Sequence, residues 1–160
     1  MRNVNALVIV LAAPLLSGCG YLWASEHSIG NYTAAVEAAD DCDIAGIKNA
    51  IKSDRRVIMD RGDDYSTLLH EAVEHNCAEV SKYLLSVGAD ANSKTVDGVT
   101  ALHMAAQRGN VEILDTLLQF RASINSLDRN GWTPADRALR WGKLNAVEFL
   151  KGRGGVVHSD

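Results

Sequence analysis

The sequence has few of the residues that would build a disulfide scaffold, a disordered chain or a nucleic-acid-binding surface. Its 160 residues include only 3 cysteines and 2 prolines, and three cysteines are too few for a disulfide-built fold. Hydrophobic residues make up 47% of the chain and charged residues 22%, which excludes disorder along its whole length. The formal net charge of -4 argues against a general nucleic-acid binder, because such a protein needs a basic surface. The length fits one compact domain.

Long hydrophobic runs are also lacking, except for one at the start of the chain. After a short positive start, residues 4–16 are almost wholly apolar. As a helix they would cover roughly 20 Å, short of the ~30 Å core of a bilayer. This length favours the hydrophobic region of a signal peptide, and we expect the signal peptide to cover residues 1–18. The run ends in Leu16-Ser17-Gly18-Cys19, which resembles the bacterial lipobox.

The lipobox resemblance implies that Cys19 receives a diacylglycerol and becomes the first residue of the mature chain. Several acyl chains then anchor the protein stably to a membrane. Gly20 stands where an Asp would favour the inner membrane, so we expect the periplasmic face of the outer membrane, with residues 19–31 as a lipidated tether. The alternatives are an ordinary signal peptide and a buried N-terminal helix that happens to contain Cys19.

The rest of the chain repeats with a period of 33 residues. The segments TLLHEAV, TALHMAA and TPADRAL begin at Thr67, Thr100 and Thr133, and LLSVGADAN at 84–92 recurs as LLQFRASIN at 117–125. A degenerate copy, TAAVEAA, begins at Thr33. These segments resemble the ankyrin repeat, which opens with T-P-L-H-x-A-A and closes with L-L-x-x-G-A-x-x-N.

The ankyrin resemblance implies an all-α solenoid of about four helix-turn-helix repeats with short hairpin loops. The repeats are expected over residues 32–152, at about 32–64, 65–97, 98–130 and 131–152, followed by a flexible tail at 153–160. The loop at 53–65 departs most from the pattern, since Tyr65 stands where later copies have a tip glycine.

The residue types at the ends of the predicted helices agree with this interpretation. The three threonines precede apolar helical runs, as capping side chains do. Gly109 and Gly142 close the first helix of their repeats, where a left-handed residue is favoured, and Asn76 and Cys42 take that place earlier in the chain.

Residues that suggest catalysis or metal binding are better explained by structure. His70 and His103 occupy the ankyrin T-P-L-H position, where the imidazole hydrogen-bonds the capping turn. His70 and His75 are five residues apart, which does not suit a helical metal pair, and no Cys/His cluster has zinc spacing. We therefore expect no catalytic residue, no metal, no cofactor beyond the lipid on Cys19, and no small-molecule substrate.

Cys42 and Cys77 lie at the inter-helix turns of adjacent repeats, which stacking brings side by side. The compartment that the lipobox implies is oxidising, so a disulfide is permitted there. The alternative is two separate thiols, because equivalent positions in adjacent repeats can exceed the ~7 Å limit between Cα atoms.

A protein partner is the expected ligand, because ankyrin domains bind proteins with their hairpin tips and the outward positions of their first helices. The matching positions are Asp63, Asp64, Ser66, Glu71, Glu74 and His75 in the second repeat, Val96, Asp97, Val99, Met104, Gln107 and Arg108 in the third, and Arg129, Asn130, Trp132, Arg137, Arg140 and Trp141 in the fourth.

Two features bear on how this surface would work. Trp132 and Trp141 lie outside the repeat's core positions and beside arginines, as interface anchors do, although they could instead cover the end of the stack. The charge is uneven, with 12 acids and 5 bases from Cys19 to Val80 but 8 acids and 10 bases from Ser81 to Asp160. Such asymmetry would steer and orient a partner.

Three functions fit this architecture. Small, lipid-anchored ankyrin proteins resemble the periplasmic immunity proteins that neutralise type VI secretion toxins, notably phospholipase effectors. An envelope scaffold that supports a resident periplasmic protein, such as a catalase, is the alternative. A eukaryote-directed effector is disfavoured by the lipobox.

Overall fold

Helices in four successive pairs make up the domain. A computed structural model describes the backbone of residues 22–158 and the side chains of residues 31–158, and within that part of the chain there are α-helices but no strand. A short 3-10 helix, Arg55–Ile58, follows the first pair. The helices are α1 (Leu22–Asp40), α2 (Ile44–Ser53), α3 (Leu68–Glu74), α4 (Ala78–Ser86), α5 (Ala101–Arg108), α6 (Val111–Gln119), α7 (Pro134–Arg140) and α8 (Leu144–Gly152).

The pairs stack in chain order into a solenoid. The first helices contact one another in the series α1, α3, α5 and α7, and the second helices do so in the series α2, α4, α6 and α8. This confirms the predicted all-α fold. Among the described helices, none combines the length and the hydropathy that a membrane crossing requires. The predicted signal peptide at 1–18 and the lipidation site Cys19 lie outside the described residues.

The core is one continuous layer between the two series of helices. Leucines and isoleucines of the second helices fill it, and Ile47, Leu84, Ile113 and Leu117 are wholly buried. The facing positions of the first helices hold small residues such as Ala105, which lets neighbouring helices approach closely. Each helix pair buries little apolar surface by itself, so the stability of the domain comes from the stacking of neighbouring pairs.

The turns between paired helices depend on one left-handed residue each. The predicted residues have positive φ angles, namely Cys42 at 55°, Asn76 at 65°, Gly109 at 80° and Gly142 at 67°. Each follows the C-terminus of a first helix, where this conformation reverses the chain. The hairpin tips use the same device, and Tyr65 takes the conformation (φ 65°) that glycine provides in later tips.

The N-terminal part is more regular than the sequence indicates. Helix α1 begins at Leu22, so the segment predicted as a tether is helical from there onward. The loop at 53–65 contains the 3-10 helix, whose Val57 and Ile58 are buried. At its tip the Gly62 N–H donates to the Ser66 carbonyl at 2.9 Å, as the Thr95 N–H does to the Val99 carbonyl one period later.

The C-terminal tail also differs from the prediction of a flexible segment. Residues 154–158 fold back along the fourth repeat, where the Thr133 hydroxyl donates to the Val156 carbonyl at 2.7 Å. The Val156 N–H donates to the Asn125 side chain at 2.8 Å, and the His158 N–H to Asp136 at 2.6 Å. A further repeat would bond to these same side chains of Thr133, Asn125 and Asp136. Here the tail bonds to them instead, and these bonds hold it in place.

Cys42 and Cys77 form a disulfide in the structure. Their Cα atoms are 5.2 Å apart, inside the range that a disulfide can span. The bridge joins the turn of the first repeat to that of the second, across 35 positions of sequence. Closing a loop of that length reduces the entropy of the unfolded chain, which stabilises the folded state by about 2–4 kcal/mol.

We therefore predict that breaking this bridge destabilises the domain. Cys42 is exposed whereas Cys77 is buried, so Cys42→Ser is the gentler change. In a Cys19→Ser background, urea unfolding should show a loss of about 2–4 kcal/mol for Cys42→Ser. Reductant should produce the same loss in the background chain and none in the variant. Two free thiols in the unreduced, denatured background chain would contradict the pairing.

Candidate functional site

A groove runs between the hairpin tips and the first helices of the second, third and fourth repeats. Its volume is about 380 Å³. Nine of the predicted contact residues line it, together with His70 and Thr95. The nine are Asp64, Ser66, Glu71, Glu74, Asp97, Val99, Met104, Gln107 and Arg137.

Carboxylates dominate the groove. Glu74 pairs with Arg108, and Asp97 lies 3.4 Å from Arg129, both pairs at the exposed surface. Asp64 and Glu71 have no Lys or Arg ion-pair partner within 4 Å among the described residues. The Ser66 N–H donates to Asp64 at 2.9 Å, and hydrogen bonds from Ser66 hold the pKa of Asp64 below its usual value. The groove is therefore negatively charged at neutral pH and complementary to a basic segment.

Two of the groove residues, Val99 and Arg137, offer little exposed surface to a partner. Val99 is only 7% exposed. The Arg137 guanidinium lies 2.9 Å from Asp128, whose side chain is wholly buried, and also donates to Gln107 at 3.0 Å. Burial opposes ionisation of Asp128, but hydrogen bonds from the Trp132 backbone and from Arg137 keep its pKa below the usual value. Arg137 is thus the counter-ion of a buried carboxylate.

The two tryptophans lie in different surroundings. Trp132 is half-buried beside Leu139 and His158, and the Arg140 guanidinium stacks 4.4 Å from its ring centre. Trp141 is 44% exposed and lines a separate pocket of about 510 Å³ with Gln107, Arg108 and Lys143. Because Gln107 lines both that pocket and the acidic groove, the Trp141 pocket adjoins the groove, whereas Trp132 is not among the groove's lining residues.

The remaining predicted residues lie at the edges of this surface. Asp63 and Asn130 are exposed at the tips, and the tips are joined by backbone bonds, with the Arg129 N–H donating to the Asp97 carbonyl at 2.9 Å. His75 is exposed at the end of α3, with its Nδ1 3.1 Å from Asp40.

The two capping histidines are buried at the start of α3 and α5. The Thr67 N–H donates to Nδ1 of His70 at 3.2 Å, and the Thr100 N–H donates to Nδ1 of His103 at 3.2 Å. Nδ1 therefore acts as an acceptor, which places the single proton of the neutral ring on Nε2. In His103 that Nε2 lies 3.0 Å from the Trp132 carbonyl of the next hairpin. Burial lowers the pKa of both rings.

The fourth repeat replaces this imidazole with a carboxylate. The Thr133 N–H donates to Asp136 at 2.8 Å, and Nδ1 of His158 lies 2.9 Å from the same carboxylate. The sequence motif does not predict this role for Asp136, nor the buried charge of Asp128. The sequence offers one indication of a role for Asp128, which is that it occupies the same hairpin-tip position as Thr95 does one period earlier.

Comparison with known protein families finds a match for most of the helical repeats. The family model for ankyrin repeats, in three copies, matches residues 69–158, which is more than half of the chain. The match runs from within α3 to the end of the described tail and leaves out the first helix pair. A search of curated proteins finds no match.

We predict that the two neutral histidines make stability depend on pH. Their pKa values are lower in the folded state than the ordinary value of 6.5, so below that pH the unfolded chain binds protons that the folded chain resists. Stability should be fully present above pH 6.5 and fall as the pH drops toward 5, by at most about 2 kcal/mol for each ring.

Urea unfolding at pH 7 and pH 5 checks this expectation. His103→Gln keeps a side chain that can accept the capping bond but does not titrate, so it should show a smaller loss between the two pH values. His158→Gln, which removes an exposed imidazole, should keep the full loss. An equal loss in His103→Gln and in the unaltered chain would contradict the assignment.

Proposed function

The chain belongs to the ankyrin-repeat family, and we propose that it is a membrane-anchored periplasmic immunity protein. As such it neutralises a type VI secretion toxin such as a phospholipase effector. Ankyrin-repeat proteins are typically interaction scaffolds without enzymatic activity, and the repeats here form a protein-protein interaction module.

The location is supported by the start of the sequence. The apolar run and Leu16-Ser17-Gly18-Cys19 direct the chain to the envelope, with lipid on Cys19 and the outer membrane as the expected site. An anchored inhibitor stands at a high local concentration where a membrane-directed toxin acts.

The acidic groove is the observation on which the partner proposal rests. An enzyme that attacks anionic bilayers is attracted to them through Lys and Arg side chains. A groove with unpaired carboxylates at Asp64 and Glu71 is complementary to such a basic face, and a partner seated there could not present it to lipid. Trp141, in the pocket that adjoins the groove, adds an exposed aromatic side chain of the kind that anchors interfaces.

The proposal makes a prediction about substrates. Since the groove covers the membrane-binding face of the enzyme, the chain should inhibit hydrolysis of anionic vesicles by a type VI phospholipase effector much more than hydrolysis of a soluble short-chain ester. Charge reversal in the groove, Glu74→Lys with Asp97→Lys, should weaken binding at least tenfold, chiefly through slower association.

A matched variant controls for net charge. Glu79→Lys with Glu148→Lys makes the same change at exposed positions of the second helices and should bind as the unaltered chain does. Equal weakening by both pairs, or none by the groove pair, would refute the groove as the binding surface. Binding to a resident envelope protein, with no effect on any such phospholipase, would instead support the scaffold.

A further inference from the structure

A second cluster of polar side chains lies at the junction of the first and second repeats. It consists of Asp40, the last residue of α1, and of Glu71 and His75 at α3. One ligand atom from each of the three side chains lies within 4.8 Å of the other two. The closest pair is Nδ1 of His75 and a carboxylate oxygen of Asp40, at 3.1 Å. Both of these side chains are open to solution, with 44% and 40% exposed.

The charges of this cluster are not balanced within the protein. Among the described residues, neither Asp40 nor Glu71 has a Lys or Arg partner within 4 Å. Asp40 and His75 also lie at C-terminal helix ends, where the partial negative charge of the helix favours a cation. With a neutral imidazole, the cluster attracts a divalent cation.

The backbone on both sides of the cluster is held by the disulfide. Cys42 follows Asp40 by two residues, and Cys77 follows His75 by two residues. The bridge thus fixes the distance between the two turns that present these ligands. Sites for metals need ligands kept in place by their surroundings, because loosely held side chains lose entropy on binding.

We propose that Asp40, Glu71 and His75 bind one divalent zinc-class ion that clamps the first repeat to the second. Ligands about 2.0–2.2 Å from a zinc ion lie roughly 3.0–3.5 Å from one another, and the 3.1 Å between His75 Nδ1 and Asp40 falls in that range. The same nitrogen lies 3.2 Å from the Glu71 carbonyl, so a bound zinc ion would replace the proton that Nδ1 shares with these oxygens. An imidazole nitrogen with two carboxylates suits zinc and its neighbours, whereas magnesium and calcium prefer oxygen ligands alone. Water completes the coordination. The site shares Glu71 with the acidic groove, but it does not rest on the proposed function, because zinc binding needs no partner protein.

Zinc titration of the full chain without a histidine tag, followed by calorimetry, tests the proposal. We expect one saturable site per chain, and at least tenfold weaker binding in His75→Ala. The matched control is His158→Ala, which removes an exposed histidine that faces one carboxylate, Asp136, and should leave zinc affinity unchanged. Magnesium should bind at least tenfold more weakly than zinc.

Each alternative result overturns the site. These results are the absence of saturable zinc binding, equal affinity in His75→Ala and the unaltered chain, equal weakening by His158→Ala, or magnesium binding as tight as that of zinc. Far-UV circular dichroism verifies that the variants fold. If His75→Ala does not fold, Asp40→Asn replaces it, because it keeps the side-chain shape and should also weaken zinc binding at least tenfold.

Discussion

A buried imidazole that stays neutral is the contact on which the stacking of the central repeats depends. His103 accepts the Thr100 N–H through Nδ1 and faces the Trp132 carbonyl through Nε2. One ring therefore caps its own helix and satisfies a carbonyl of the next hairpin, in a place that water does not reach. A charged ring would have a proton on Nδ1 and would lose the cap. Burial, which lowers the pKa of His103, keeps both bonds intact at neutral pH.

The functional surface follows from this frame. With the hairpins fixed to the helices, the tip carboxylates of Asp64 and Asp97 converge with Glu74 on one groove. The groove is acidic because the arginine in its lining, Arg137, is already neutralised by the buried Asp128. The sequence alone places the positive charge of Arg137 on the binding surface, but in the structure this charge neutralises Asp128. The remaining carboxylates favour a basic partner.

Much of the fold could be predicted from the 33-residue period, because each repeat position has one physical task. The left-handed residues, including the non-glycine Asn76 and Cys42, were placed correctly since a chain reversal is needed at the same point of every repeat. The burial of Val99 and the pairing of Arg137 with Asp128 could not be predicted this way, because both depend on contacts with a hairpin tip.

The C-terminal tail and the Asp40–Glu71–His75 cluster were missed for a related reason. The tail is held by bonds to Asn125 and Thr133, which lie in other parts of the chain. The cluster joins Glu71 and His75, which are one helical turn apart, to Asp40 of the preceding repeat, so no local spacing reveals the whole of it. Side chains brought together only by stacking are invisible to a motif search, however regular the repeat.

The protonation state of the His103 ring can be measured directly. Nitrogen-15 NMR of the imidazoles distinguishes the two neutral forms and follows their titration. We predict that neutral His103 carries its proton on Nε2 and that its titration midpoint lies below 6.5 in the folded chain. A proton on Nδ1, or a midpoint at or above 6.5, would contradict the proposed link between the repeats.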